Sequence, residues 1–202
     1  MSKANGSVLD CFSDCFHDSS NLICNDISDY EAIDPKFGTL DDFDHLIAEA
    51  HARNIHVILD GVYNHTSDQH PWFQKSRSSK QNPYRDWYLW RPGKDGGKPN
   101  NWQSIFGGDG WQFDEKTGEY YFHMFVKEQP DLNWRNPAVP RAILEAIRFW
   151  LDRGVDGFRL DVFNAYFKHP ELLDNPPKLG LRGFDRQHHI HDVSQPEMLP
   201  FL

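Results

Sequence analysis

Apolar residues recur along this chain with two different periods, and the points where one period gives way to the other mark out its elements. Between Thr39 and Arg53, Leu40, Phe43, Ile47 and Ala50 fall on one stripe, the spacing of an amphipathic helix. Thr39 and Asp42 are spaced as a capping box at its start, and Asn54 stops it. A second stripe, Val139, Ile143, Ala146, Ile147, Trp150 and Leu151, follows Asn136 as N-cap and Pro137 at the first helical position, and runs to Gly154 as C-terminal cap. Each helix leads into a short run without polar alternation. One covers residues 55–60 and closes on Asp60; the other covers 155–162 and carries Arg159 and Asp161. Helix, two-residue link, apolar strand and then a carboxylate is the layout of βα units around a parallel sheet or barrel. Polar groups at the carboxyl ends of such strands form the active site of a barrel.

The strand ends carry the candidate chemistry. Arg159 and Asp161 stand two residues apart and so project from one face. An arginine a few ångström away keeps a carboxylate ionised, which is what a carboxylate nucleophile needs at neutral pH. The same pair could equally serve to fix a loop, and the residues alone leave both readings open.

Four segments in order widen the picture: Asp34-Pro-Lys-Phe-Gly38, Asp60-Gly-Val-Tyr-Asn-His65, Gln129-Pro-Asp-Leu-Asn133 and Gly157-Phe-Arg-Leu-Asp161, with Asn175-Pro-Pro177 beyond them. Together they resemble the α-amylase family of glycoside hydrolases, and within it the α-glucosidase and oligo-1,6-glucosidase branch, over roughly residues 26 to 202. The resemblance implies a TIM (β/α)8 barrel, here a partial one holding about the third and fourth strands. It divides the chain into an atypical start (1–25), a barrel segment (26–65), an inserted lid called domain B (66–134) and a second barrel segment (135–202). It also implies a retaining α-glucosidase acting on short α-linked glucosides. Asp161 would be the nucleophile that forms a β-glycosyl ester, and Arg159 its charged partner. His65 and Gln129 would bind the sugar, Phe106 and Phe125 would form apolar walls, and Val162 would influence linkage specificity. No metal and no cofactor is required. Sucrose isomerases and trehalose synthases share these motifs, and a non-catalytic sugar-binding relative is the other alternative.

The sequence also departs from the family. Retaining glycosidases need a second carboxyl about 5 Å from the nucleophile, and the resemblance places that glutamate beyond Leu202, so the 202-residue chain is expected to be truncated and inactive by itself. The family's sugar-binding aspartate and stacking tyrosine align with Leu22 and Asn25, which can do neither job. Residues 1–25 differ in composition from the rest and read as a frame-shifted or non-homologous start, with no barrel strand of their own. They hold all three cysteines, Cys11, Cys15 and Cys24, read as free thiols.

Composition narrows the partners. With 39% hydrophobic and 25% charged residues the chain is ordinary for a globular protein, and a net charge of −9 argues against nucleic acid or an anionic membrane. Without an apolar run long enough to span a bilayer or a basic-then-apolar leader, the expectation is cytoplasmic. Self-association through exposed barrel edges is the expected hazard.

In the insertion, Trp72, Trp87, Trp90, Trp102, Trp111 and Trp134 read first as core, with sugar stacking as the alternative. Residues 120–125 read as a strand and Pro92–Gly97 as a turn. The histidines at 188, 189 and 191 read as structural rather than metal-ligating, and His45, His51 and His56 as exposed or locally satisfied.

Overall fold

Strand β1 (Ser7–Cys11) lies parallel to a strand almost fifty residues further on, pairing Ser7 with Ile55 and Cys11 with Leu59. This corrects the expectation that the first 25 residues supply no strand. The structure, a computed structural model, describes residues 7–11, 16–18 and 26–201. Leu22, Asn25, Cys15 and Cys24 lie outside the described residues. β2 (Phe16–Asp18) runs antiparallel to β3 (Ile27–Ile33).

Helix α1 (Leu40–His51) starts as its sequence dictates: the Thr39 hydroxyl accepts the Asp42 amide at 3.2 Å, and the Asp42 carboxylate accepts the Thr39 amide at 2.8 Å. Asn54, at φ 57°, turns the chain out of the helix into β4 (Ile55–Gly61). The inserted segment then carries α2 (Pro71–Ser76), β5 (Trp90–Arg91), β6 (Trp111–Asp114) and β7 (Glu119–Phe122), the last three forming an antiparallel sheet in the order β5-β7-β6. The strand expected over 120–125 stops at Phe122, because beyond it the Met124 amide turns to the Asp131 carboxylate.

Helix α3 (Ala138–Asp152) follows, one residue later than expected, with the Asn136 side chain accepting the Ala138 amide at 3.0 Å. Gly154, at φ 95°, makes the left-handed turn into β8 (Gly157–Leu160), and α4 (Met198–Phe201) closes the described chain. The main sheet has the order β1-β4-β8 and is parallel throughout. Its strands pack against α1 and α3 through Ile47, Val57, Leu59, Val139, Ile143 and Trp150, each buried. Burying one such side chain contributes roughly 1.5–3 kcal/mol. Trp150 meets Phe43 edge-on at 5.0 Å, and its indole N–H reaches the Tyr30 carbonyl at 2.7 Å, tying α3 to β3.

A second core is built on Trp102, Trp111, Phe122 and Met124 and is joined by Ala165 and Leu172 from beyond β8. Trp90, Trp102, Trp111 and Trp134 are buried, and Trp72 and Trp87 half-buried, so the core reading of the tryptophans accounts for most of them. His189 has a structural place, with one ring nitrogen on Asp192 at 2.8 Å and the other on the Phe184 carbonyl at 2.7 Å. His51 and His56 are exposed, as expected, and both also hold Asp156 across a long stretch of chain, at 2.9 and 3.0 Å.

Candidate active site

Because β4 and β8 are adjacent and parallel, their register sets Asp60 level with Arg159 at the carboxyl ends of the strands. The Arg159 guanidinium donates through Nη1 to both Asp60 oxygens, each at 2.6 Å, and through Nη2 to Asp161 Oδ1 at 3.1 Å. The expected Arg159–Asp161 pair is therefore present, but the closer partner is Asp60. The hydrogen bonds and charge of Asp60, with the charge of Asp161, push the Arg159 pKa further up. The Asp161 amide also donates to the Gly61 carbonyl at 3.1 Å, so the main chain pins this residue to the end of β4. Val162 then adopts φ 48°, ψ 31°, a left-handed conformation that a β-branched residue rarely takes and that costs about 1–3 kcal/mol. Its side chain packs on the second core.

A second group forms where residues 128–132 run antiparallel to residues 64–68. Leu132 donates to the Asn64 carbonyl at 2.9 Å, Thr66 to the Pro130 carbonyl at 3.2 Å and Asp68 to the Glu128 carbonyl at 2.7 Å. This ladder buries both His65 and Gln129. The His65 carbonyl accepts the Tyr30 hydroxyl at 2.9 Å, and its ring stands 5.0 Å from that of Phe125. Phe106 meets the ring of Phe125 at 6.0 Å and is 72% exposed. The two phenylalanines line a groove of ≈ 360 Å³ together with Ser104, Asp109, His123 and Glu128, and neither Arg159 nor Asp161 lines it. The structure thus joins Arg159 to Asp161 and His65 to Phe125 and the Gln129 ladder, and it leaves Phe106 at the outer edge.

Sequence reasoning missed an interior network. Lys168, 2% exposed, places its ammonium on Asp131 Oδ2 at 2.5 Å, on Asn64 Oδ1 at 3.1 Å and on the Ala165 carbonyl. Asn64 donates to the same Asp131 oxygen at 2.9 Å, and the other Asp131 oxygen accepts the Met124 amide at 2.8 Å. The network locks the ends of both motif segments to the loop after β8. Asn64 and Asp131 lie inside the quoted motifs, whereas Lys168 has no local signal. Tyr63 and Tyr166 flank the same rim, and their hydroxyls are buried with no hydrogen-bond partner among the described residues. Burial, and then negative charge including that of Asp60, raises the pKa of both. Tyr166 stacks on Trp134 at 4.2 Å.

Parallel strands coated by helices, with an arginine-bridged pair of carboxylates at their carboxyl ends, define a segment of a βα barrel. The profile of the alpha amylase catalytic domain matches residues 13–202, and the chain belongs to that family. The match begins ahead of residue 26, so part of the atypical start belongs to the family as well. Among the similar proteins is the oligo-1,6-glucosidase of Parageobacillus thermoglucosidasius, 58% identical over 155 residues, which are 77% of this chain and 28% of that protein. Among solved structures, an alpha-glucosyl transfer enzyme aligns with TM-score 0.89 and 47% identity over 93% of this chain and 37% of its own. The trehalulose synthase of Pseudomonas mesoacidophila aligns with TM-score 0.77 and 49% identity over 80% of this chain and 30% of its own. The chain spans about a third of the length of the proteins it matches. No helix among the described residues is long and apolar enough to cross a membrane.

Proposed function

We propose that this chain carries the nucleophile half of a retaining α-glucosidase that acts on short α-linked glucosides, in the cytoplasm, without metal or cofactor. One observation carries the reading: a single guanidinium spans Asp60 and Asp161 at the ends of neighbouring parallel strands. Asp161, bound through one oxygen at 3.1 Å, keeps its other oxygen for attack on the anomeric carbon. Asp60, bound through both oxygens, positions the arginine. His65 and Gln129 bind the sugar from the adjoining ladder, Phe125 and Phe106 form its apolar wall, and Val162 bears on linkage preference. Residues 66–134 serve as the lid, domain B, between barrel segments 26–65 and 135–202.

With both oxygens on Arg159, Asp60 is not placed to serve as the second carboxyl that a retaining glycosidase needs. The 202-residue chain alone is therefore expected to leave a nitrophenyl α-glucoside intact, and edge pairing of β1 or β8 would promote its self-association. The activity test uses a chimera in which residues 26–202 replace the matching stretch of the Parageobacillus oligo-1,6-glucosidase. It should hydrolyse isomaltose and release α-glucose first by proton NMR; release of β-glucose would contradict the reading. A second reading, sucrose isomerisation, draws on the structural likeness to a trehalulose synthase. Sucrose converted by the chimera into an isomeric disaccharide, rather than into glucose and fructose, would favour it.

A further inference from the structure

A cavity of ≈ 190 Å³ lies between the insertion and the loop after β8, away from the Phe106 groove. Arg91, Arg135, Lys168 and His169 line it, and no aspartate or glutamate does. That makeup is unusual for a chain of net charge −9. Lys168 is fully committed to its interior partners. Arg135 uses Nε on the Lys168 carbonyl at 2.8 Å and Nη1 on Glu197 at 2.7 Å, which fixes the guanidinium in place. Arg91 is exposed and donates only to its own neighbour's carbonyl, that of Trp90 at 2.7 Å, among the contacts described. His169 accepts the Glu171 amide on Nδ1 at 3.3 Å, so Nε2 is the nitrogen that can face a ligand. The stacked pair Trp134 and Tyr166 supplies an apolar wall.

We propose that this cavity binds a small oxyanion, the phosphate or carboxylate group of a metabolite, through Arg91 and Arg135 with His169 beside them. Guanidinium forks match the geometry of such groups and bind them through charge-assisted hydrogen bonds. The aromatic wall takes whatever apolar body the anion carries.

Trp134 gives the site its own signal. Titrating the 202-residue chain with inorganic phosphate, and separately with benzoate, should change tryptophan fluorescence saturably, while chloride at matched ionic strength should not. A response to phosphate alone identifies a phosphate site, and one to benzoate alone a carboxylate site. Arg91→Gln, at an exposed position, should weaken binding about tenfold or more, the loss of one charge-assisted hydrogen bond. Arg135→Gln should do the same. A response no larger than that of chloride, or one that survives in both variants, overturns the proposal. Neither readout depends on glucosidase activity.

Discussion

The two ends of the β4–β8 strand pair each carry a charged cluster that ties the two strands together, with a guanidinium as the bridge at one end and a carboxylate at the other. At the carboxyl end, Arg159 holds Asp60 and Asp161, and a permanently charged guanidinium leaves one carboxylate oxygen unengaged by it. At the amino end, Asp156 is fully occupied: His51 and His56 hold its two oxygens at 2.9 and 3.0 Å, and the Val57 amide donates to it at 2.7 Å. On the proposed function the first cluster is the one that reacts, while the second clamps α1, β4 and β8 together. In a βα barrel this is the ordinary division between the end that does chemistry and the end that secures the fold.

The comparison can be broken from either side. Asp161→Asn in the chimera should lower kcat by about 10⁴ or more, as loss of a covalent nucleophile does, with little change in the unfolding midpoint; measurable isomaltose turnover would break the contrast at its reactive end. Lys168→Met tests the interior network, which is buried like the clamp but lies behind the reactive rim. It leaves the buried Asp131 charge uncompensated and should cost about 3–5 kcal/mol in denaturant unfolding. Asp60→Asn frees the guanidinium to move, and displacement of a positioning group by about an ångström costs about 10²-fold in rate; a full-rate variant would show that Asp60 does not orient Arg159.

Asp156→Asn should leave chimera activity unchanged and cost about 1 kcal/mol, the ordinary worth of a hydrogen bond. Its effect has a defined pH window. Burial opposes the Asp156 charge, but the His56 side chain, the Val57 amide and His51 outweigh it, and the pKa falls below the ordinary 3.8. A group whose folded pKa is depressed contributes stability above its unfolded value and loses that contribution as pH falls through the folded one. The stability difference between the native chain and Asp156→Asn should therefore shrink as pH falls below about 4. A difference that went on growing below about pH 4 would reverse the assignment.

Much of this was legible in the sequence because it depends on local signals. The Thr39–Asp42 box, the two apolar stripes and the turns at Asn54 and Gly154 are written in adjacent residues, and each appears in the fold. The motif residues at the strand ends were legible for the same reason. The pairings between distant segments were not. Whether Arg159 prefers Asp161, two residues away, or Asp60, ninety-nine residues away, is decided by the register of β4 against β8. Lys168 carries no local signal, and only the fold brings it to Asp131 and Asn64. Strand β1 escaped notice because residues 1–25 lack the helix-then-strand layout found elsewhere. The histidines of the clamp face an aspartate about a hundred residues away, beyond the reach of any spacing rule.

The most direct test asks which of the two carboxylates on Arg159 attacks the sugar. Treating the chimera with 5-fluoro-α-glucosyl fluoride, whose leaving group needs little acid assistance, should trap the glycosyl ester for peptide mass spectrometry. The account predicts the label on Asp161 and its disappearance in Asp161→Asn. A label on Asp60, or turnover with no covalent intermediate and inverted product, would contradict it.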